Sequence, residues 1–140
     1  MKPRVSFITL GVDNLDRALA FYREGLGLPS PGIVGTEYAL GAVAFFELQP
    51  GLKLALWPRK SLAADSKVAL QPPSATEFAL AHNVASADEV DALLRRAEQA
   101  GATITKPPGP TFYGGHAGYF QDLDGHLWEV AFNPAFVLPD

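Results

Sequence analysis

The chain has 140 residues, a net charge of −4 and no cysteine. This length is enough for one domain with a sizeable core, and the absence of cysteine excludes thiolate nucleophiles, disulfides and cysteine-held metal clusters. The 11 lysines and arginines are scattered and no apolar run approaches the ~20 residues of a membrane span. We therefore expect a cytoplasmic protein that binds neither nucleic acid nor membranes.

The first predicted elements are a strand and a helix. The run RVSFITLGV, residues 4–12, is rich in β-formers and is followed by the helical pattern DNLDRALAFYREGLGL. Asp13 or Asn14 can cap this helix at its start, and Gly25 or Gly27 should end it. The first half of the chain therefore begins with a strand followed by a helix.

The same order returns in the second half. EFALAHNV, residues 77–84, reads as a strand and is followed by the helical pattern ASADEVDALLRRAEQAGA. Ser86 is placed to cap this helix, Glu89 stands at the spacing of a capping box, and Gly101 is a stop signal. We expect a second helix between Ser86 and Gly101.

Each half continues with a hairpin. The first is GAVAFFELQPGLKLALWPR, with its turn at Pro50-Gly51, and the second is GGHAGYFQDLDGHLWEVAFNP, with its turn at Asp124-Gly125. Pairs of residues such as Phe45 and Phe46 alternate faces on such strands, so one of these two rings should face outward from the core. The pattern does not decide which ring does so.

The two halves repeat one another. Phe7 falls on Ala79 at an offset of 72 residues, and Gly51 falls on Gly125 at an offset of 74. This duplication predicts an α+β fold of two β-α-β-β-β repeats within one domain. We place repeat one at 4–58, a linker with one short helix (Ser61–Lys67) at 59–75, repeat two at 76–133, and a tail at 134–140.

The stretches AFYREGLGL and DLDGHLWEV, set in such a repeat, resemble the vicinal oxygen chelate superfamily over residues 4–133. That superfamily includes glyoxalase I, extradiol dioxygenases, fosfomycin-modifying enzymes and bleomycin resistance proteins. The resemblance implies a curled mixed sheet that forms a concave cup, helices packed outside, a small organic ligand in the cup, and a homodimer.

The resemblance also implies where a divalent metal ion would bind. The metal enzymes of the superfamily take one ligand from the first strand and one from the last strand of each half, which selects Phe7, Ala79, Ala55 and Glu129 here. Only Glu129 carries a donor, whereas such sites need three or more protein ligands. We therefore predict no metal and no other cofactor.

Strand alternation adds further positions to the predicted cup, and the Pro- and Gly-rich segment before the seventh strand could act as a lid over it. Trp57 should rim the cup, whereas Trp128 and His82 should face the helices as core residues and His126 should be solvated. The predicted ligand-binding residues are Phe7, Thr9, Ala55, Trp57, Ala79, Asn83, Phe112, Tyr113, His116, Tyr119 and Glu129.

Glu129 is the candidate catalytic residue, and its role separates the functional hypotheses. It could anchor a cationic ligand or act as a general base, or it could be a relic hydrogen-bonded to Thr9, Asn83 or water. The leading hypothesis is a metal-independent protein that captures an organic, antibiotic-like molecule in an aromatic cup. The alternatives are a lyase or isomerase that uses Glu129 with Tyr113 or His116, a dioxygenase-like enzyme with metal ligands Glu129, His116 and Gln121, and a structural dimer with a filled cup.

Overall fold

A computed structural model of the chain describes residues 1–139, so that Asp140, the end of the predicted tail, lies outside the described residues. The chain divides into two compact units, Met1–Pro72 and Pro73–Asp140. Each unit contains one four-stranded mixed sheet. The predicted α+β fold of two β-α-β-β-β repeats is confirmed. Within residues 1–139, no helix is long and apolar enough to span a membrane.

The first unit has the sheet order β1-β4-β3-β2, in which β1 and β4 are parallel and the other neighbours antiparallel. Its helices lie before β2 and after β4. The strands are β1 (Phe7–Val12), β2 (Ile33–Val34), β3 (Val43–Glu47) and β4 (Lys53–Pro58), and the helices are α1 (Leu15–Ala20), continued by a π-helical turn (Phe21–Gly25), and α2 (Arg59–Ser66).

Local sequence explains the bounds of α1. The side chain of Asn14 accepts a hydrogen bond from the Arg17 backbone N–H at 3.0 Å. This bond satisfies one of the first-turn N–H groups that have no acceptor within the helix. The helical run ends at Gly25, one of the two predicted stops. Its apolar side packs on β3 and β4 and encloses the core. The largest fully buried side chains of this unit are Leu10, Val12, Tyr22, Phe46, Leu54 and Leu56.

The second unit repeats this arrangement with the sheet order β5-β8-β7-β6. Ser86 caps its helix by accepting a hydrogen bond from the Glu89 backbone N–H, while the Glu89 carboxylate accepts one from the Ala85 backbone N–H. After the helix, Gly101 adopts the left-handed region with φ 109°. The helix therefore begins and ends where the sequence predicts. The elements are β5 (Leu80–Asn83), α3 (Ala87–Gln99), β6 (Thr103–Pro110), β7 (His116–Gln121) and β8 (Leu127–Phe132).

The helix cover of the two sheets differs. In the first unit two helices cover the sheet: α1 packs on β3 and β4, and α2 packs on β1 and β4. In the second unit α3 packs on β6, β7 and β8. Strand β5 lies at the edge of the sheet, beside the three strands that α3 contacts, and its residue His82 is exposed. The prediction that His82 is a core residue under the second helix is therefore wrong.

The prediction that His126 is solvated is also wrong. Its Nδ1 lies 2.7 Å from Oδ2 of Asp122, whose side chain is buried and whose Oδ1 accepts hydrogen bonds from the backbone N–H groups of Asp124 and His126. The β7–β8 turn thus closes over a buried carboxylate. Trp128 faces the helix side, as predicted, and stacks on Phe120 at 6.1 Å between ring centroids.

Candidate functional site

The register of the first sheet separates a helix-covered face from an open face. Thr9 pairs with Ala55, and Ala55 pairs with Phe45, so these three side chains point to the same side. Leu10, Leu56 and their neighbours point to the other side, into the core. The open face is where a ligand can reach the sheet.

This open face carries an aromatic pocket of about 320 Å³. It falls within the size range of small-molecule sites, and among residues 1–139 no acid or base lines it. Four of the predicted ligand-binding residues meet here. The lining residues are Phe7, Thr9, Leu40, Gly41, Val43, Phe45, Ala55 and Trp57.

Aromatic contacts set the shape of the pocket. The rings of Phe7 and Phe45 lie 5.9 Å apart in a tilted arrangement, and Phe46 is buried on the other face, which settles the ambiguity between the two phenylalanines. Charge is confined to the rim, where the Lys53 ammonium lies 5.8 Å from the Phe45 ring and 3.0 Å from a Glu47 carboxylate oxygen. The interior therefore offers apolar area with the hydroxyl of Thr9 as its polar side-chain group.

One wall of the pocket comes from the loop between β2 and β3, which sequence analysis did not assign to the site. The Trp57 indole Nε1–H donates to the Leu40 carbonyl oxygen at 2.8 Å, and Leu40 has φ 58°, an uncommon backbone conformation for leucine. Gly35 and Gly41 approach so closely that a Cβ on either would overlap a backbone atom of the other. The pair of glycines six residues apart is the sequence feature that could have indicated this close loop contact.

The open face of the second sheet carries the polar candidates. Ala81 pairs with Glu129 and Glu129 pairs with Tyr119, so that Glu129 occupies the register position that Ala55 holds in the first sheet. Asn83 lies on the same face as Glu129, two residues beyond Ala81 along β5, and Ala79 directly precedes this strand and is exposed. This face is polar where its counterpart is aromatic.

Glu129 has a hydrogen-bond partner that sequence analysis did not propose. The Tyr119 hydroxyl donates to Glu129 Oε2 at 3.0 Å, and both side chains are half-buried. Burial raises the pKa of the Tyr119 hydroxyl above its ordinary value near 10, and the hydrogen bond to Glu129 and its negative charge raise that pKa further. Tyr119 therefore stays a proton donor beside Glu129 throughout the physiological pH range.

The remaining predicted residues separate from this face. His116 lies on the helix side of the second sheet, where its Nε2 is 2.8 Å from Oδ1 of Asp91 on α3. Phe112 and Tyr113 form the turn between β6 and β7, with Phe112 fully exposed and the two rings in edge contact at 5.3 Å. Gln121 shares the open face but donates to the Gly125 carbonyl oxygen at 3.1 Å. Glu129, His116 and Gln121 thus do not form one donor set.

The donors present do not fit a divalent metal ion. Among the four positions that the resemblance selects, Phe7, Ala55 and Ala79 offer no side-chain donor, and Glu129 offers one carboxylate. Across residues 1–139, no three His, Asp or Glu side chains are gathered in a way that could hold a metal.

Residues 4–130 match a family model described as the Glyoxalase/Bleomycin resistance protein/Dioxygenase superfamily. A search of curated proteins finds no match to the chain.

Solved structures agree with this match. The chain is similar to a glyoxalase-related enzyme from Fulvimarina pelagi, with 35% identity, a TM-score of 0.83, and coverage of 98% of this chain and 93% of that one. It is also similar to the fosfomycin resistance protein FosX from Listeria monocytogenes, with 26% identity, a TM-score of 0.69, and coverage of 96% and 97%. A lactoylglutathione lyase from Agrobacterium tumefaciens shares the fold at 21% identity and a TM-score of 0.67, with coverage of 99% and 100%.

Proposed function

The chain belongs to the glyoxalase/bleomycin resistance protein/dioxygenase superfamily, and from this membership we propose that it captures a small organic molecule without the help of a metal ion. The superfamily supports many chemistries on one fold, so the choice among them depends on the side chains that each open face presents. The open face of the first unit presents aromatic rings, and that of the second unit presents a carboxylate beside a hydroxyl.

The aromatic pocket of the first unit is the observation that carries this proposal. Phe7, Phe45 and Trp57 give it flat apolar walls, and the bond from Trp57 to the Leu40 carbonyl oxygen holds the indole in place before a ligand arrives. A planar organic molecule gains from apolar burial and from ring contacts in such a site. A pre-formed wall lowers the ordering cost of binding.

The Glu129–Tyr119 pair supports a preference for ligands that carry a positive charge. Its carboxylate is half-buried, and the pair offers an acceptor and a donor to a ligand on that face. We infer that antibiotic-like organic molecules are the class to test first, aromatic compounds on the open face of the first unit and cations on that of the second. We also propose that the protein is cytoplasmic, as the sequence leads us to expect, and that it forms a homodimer, as the resemblance to the superfamily implies.

The test is a calorimetric screen of planar aromatic compounds, neutral and cationic, against the wild type and two matched variants. Phe7 is 52% exposed and lines the pocket, whereas Phe78 is 53% exposed and lies outside it. We expect Phe7→Ala to weaken binding by about 1–2 kcal/mol, the value of the apolar area that the ring contributes, and Phe78→Ala to leave it unchanged. Equal losses of affinity in the two variants, or an affinity that does not change in Phe7→Ala, would overturn the proposal.

A metal-independent lyase or isomerase is the second candidate, and the Tyr119–Glu129 hydrogen bond favours it. A carboxylate paired with a hydroxyl that stays protonated can remove a proton at one atom and return one at another. Turnover of any bound compound that is lost in both Glu129→Gln and Tyr119→Phe would support this candidate. Binding without turnover supports capture.

A further inference from the structure

A second cavity lies on the helix-covered side of the second sheet, away from the open face. It has a volume of about 550 Å³ and opens between α3 and β6. The pairing of β6 with β7 shifts register twice, between Ile104 and Lys106 and again between Lys106 and Gly109. These bulges leave Pro107 and Pro108 outside the ladder, where they form one wall of the cavity.

The sequence accommodates the bulges with a glycine. A Cβ on Gly118 would lie 2.6 Å from a methyl group of Leu94 on α3 and 2.9 Å from the Lys106 carbonyl oxygen. A side chain at this position would therefore push the helix and the bulged strand apart. Because α3 and β6 lie so close to Gly118, the buried side chain of Leu94 forms an apolar part of the cavity lining.

Part of the cavity lining is held by a hydrogen bond between His116 and Asp91. The side chain of His116 is 19% exposed and that of Asp91 is 35% exposed, and the 2.8 Å contact ties β7 to α3. Asp91 therefore already has a protein partner. Its Oδ1 is engaged by the imidazole rather than left for a ligand.

The free charges lie further along the same flank of α3. Arg95 and Glu98 follow Asp91 at four and seven residues, the spacing of one helix face, and both line the cavity. Within residues 1–139, neither side chain forms a hydrogen bond or ion pair. A cation and an anion thus stand three residues apart on α3, in the same lining as the apolar surface of Leu94, Pro107 and Pro108.

We propose that this cavity is a site for a small zwitterion, an α-amino acid with an apolar side chain. Its carboxylate would bind the Arg95 guanidinium, its ammonium group the Glu98 carboxylate, and its side chain the Leu94, Pro107 and Pro108 surface. A ligand with a single charge satisfies one of the two residues and meets the other as a repulsive neighbour. This site is independent of the aromatic pocket and of the function proposed for it.

The test is an NMR titration of the full-length ¹⁵N-labelled protein with L-leucine, and with leucinamide and N-acetyl-leucine as probes that each lack one charge. We expect saturable shifts for amides of α3, β6 and His116 with L-leucine, and at least about tenfold weaker binding of the two probes. Arg95→Gln and Glu98→Gln should each weaken L-leucine to a similar degree. Both residues are exposed, so the variants should fold as the wild type does.

Arg96→Gln is the matched control, because Arg96 is the neighbouring arginine on α3 and lines a different cavity. It should leave the titration unchanged. The proposal is overturned by the absence of saturable shifts at tens of millimolar L-leucine, by equal binding of the singly charged probes, or by a loss in Arg96→Gln as large as that in Arg95→Gln. Shifts confined to Phe7 and Trp57 would also overturn it, since they would place L-leucine in the aromatic pocket.

Discussion

Glu129 illustrates how a neighbouring residue defines the chemistry of a side chain. The Tyr119 hydroxyl binds Oε2 of the carboxylate, while no group within residues 1–139 is bonded to Oε1. The carboxylate is thus oriented on one side and available on the other. A residue that is oriented in this way can take a ligand cation without first having to be ordered.

Replacing Glu129 with glutamine tests the role of its charge. Glutamine keeps the size of the side chain and an oxygen that can accept the Tyr119 hydrogen bond, so only the negative charge is lost. We expect a cationic ligand to bind about 1.5–3 kcal/mol more weakly, and a neutral analogue of the same shape to bind as before. Calorimetry with both compounds measures the difference, with Asp88→Asn on the exposed side of α3 as the control.

Tyr119 should titrate above its ordinary pKa near 10. Because its folded pKa is raised, the stability that its protonated hydroxyl contributes is fully present below that ordinary value and is lost as the pH rises through the folded pKa. The difference between the tyrosinate absorbance titrations of the wild type and Tyr119→Phe reports Tyr119, and its midpoint should lie above the ordinary value. A difference curve with its midpoint at or below that value would contradict the hydrogen bond to Glu129.

Among the connecting elements, the loop between β2 and β3 matters most for the aromatic pocket. It carries the carbonyl that binds Trp57, and the backbone contact between Gly35 and Gly41 holds the two ends of the loop together. The position of the pocket wall therefore depends on residues without side chains.

Gly41→Ala tests this dependence. The added Cβ would overlap the Gly35 carbonyl oxygen, so we expect unfolding to become easier by about 1–3 kcal/mol and ligand affinity in the pocket to fall. Gly109→Ala is the matched control, because nothing lies within 4 Å of its added Cβ. Urea unfolding of both variants measures the stability change. Equal midpoints would contradict the close packing of the loop.

The elements that could be predicted from sequence are those with local signals. Asn14, Ser86 and Gly101 mark helix ends by their own chemistry. Ala55 and Glu129 were selected by the resemblance, and strand alternation added neighbouring positions such as Thr9 and Asn83. Features that depend on distant packing were not predicted. His82 is exposed because of where α3 packs on the sheet, and the partner of His116, Asp91, lies 25 residues away along the chain.

At the scale of the whole molecule, duplication has produced two sheets with the same register and different open faces. Ala55 and Glu129 occupy equivalent positions, yet one lies among aromatic rings and the other beside a tyrosine hydroxyl. The fold and the repeat could therefore be predicted from the sequence, because the pattern of both halves is shared. The specialisation of each face could not, since it depends on single residues.

The predicted homodimer is tested at this scale. Phe112 is fully exposed, and Phe136 and Val137 in the tail are also exposed, so contact with a second copy at either place would bury apolar side chains. We expect sedimentation to give twice the chain mass of 15.0 kDa, and Phe112→Ser or Val137→Ser to shift the protein toward that single-chain mass. A monomer in the wild type would contradict the expectation.

The different surroundings of the two tryptophans give the molecule an intrinsic optical reporter. Trp57 lines the aromatic pocket with its indole N–H bonded to Leu40, whereas Trp128 is stacked on Phe120 on the helix side of the other sheet. A compound that enters the pocket changes the emission of the first indole and leaves that of the second as a constant background. In Trp128→Phe, fluorescence would report the pocket alone, so unlabelled protein can be screened directly.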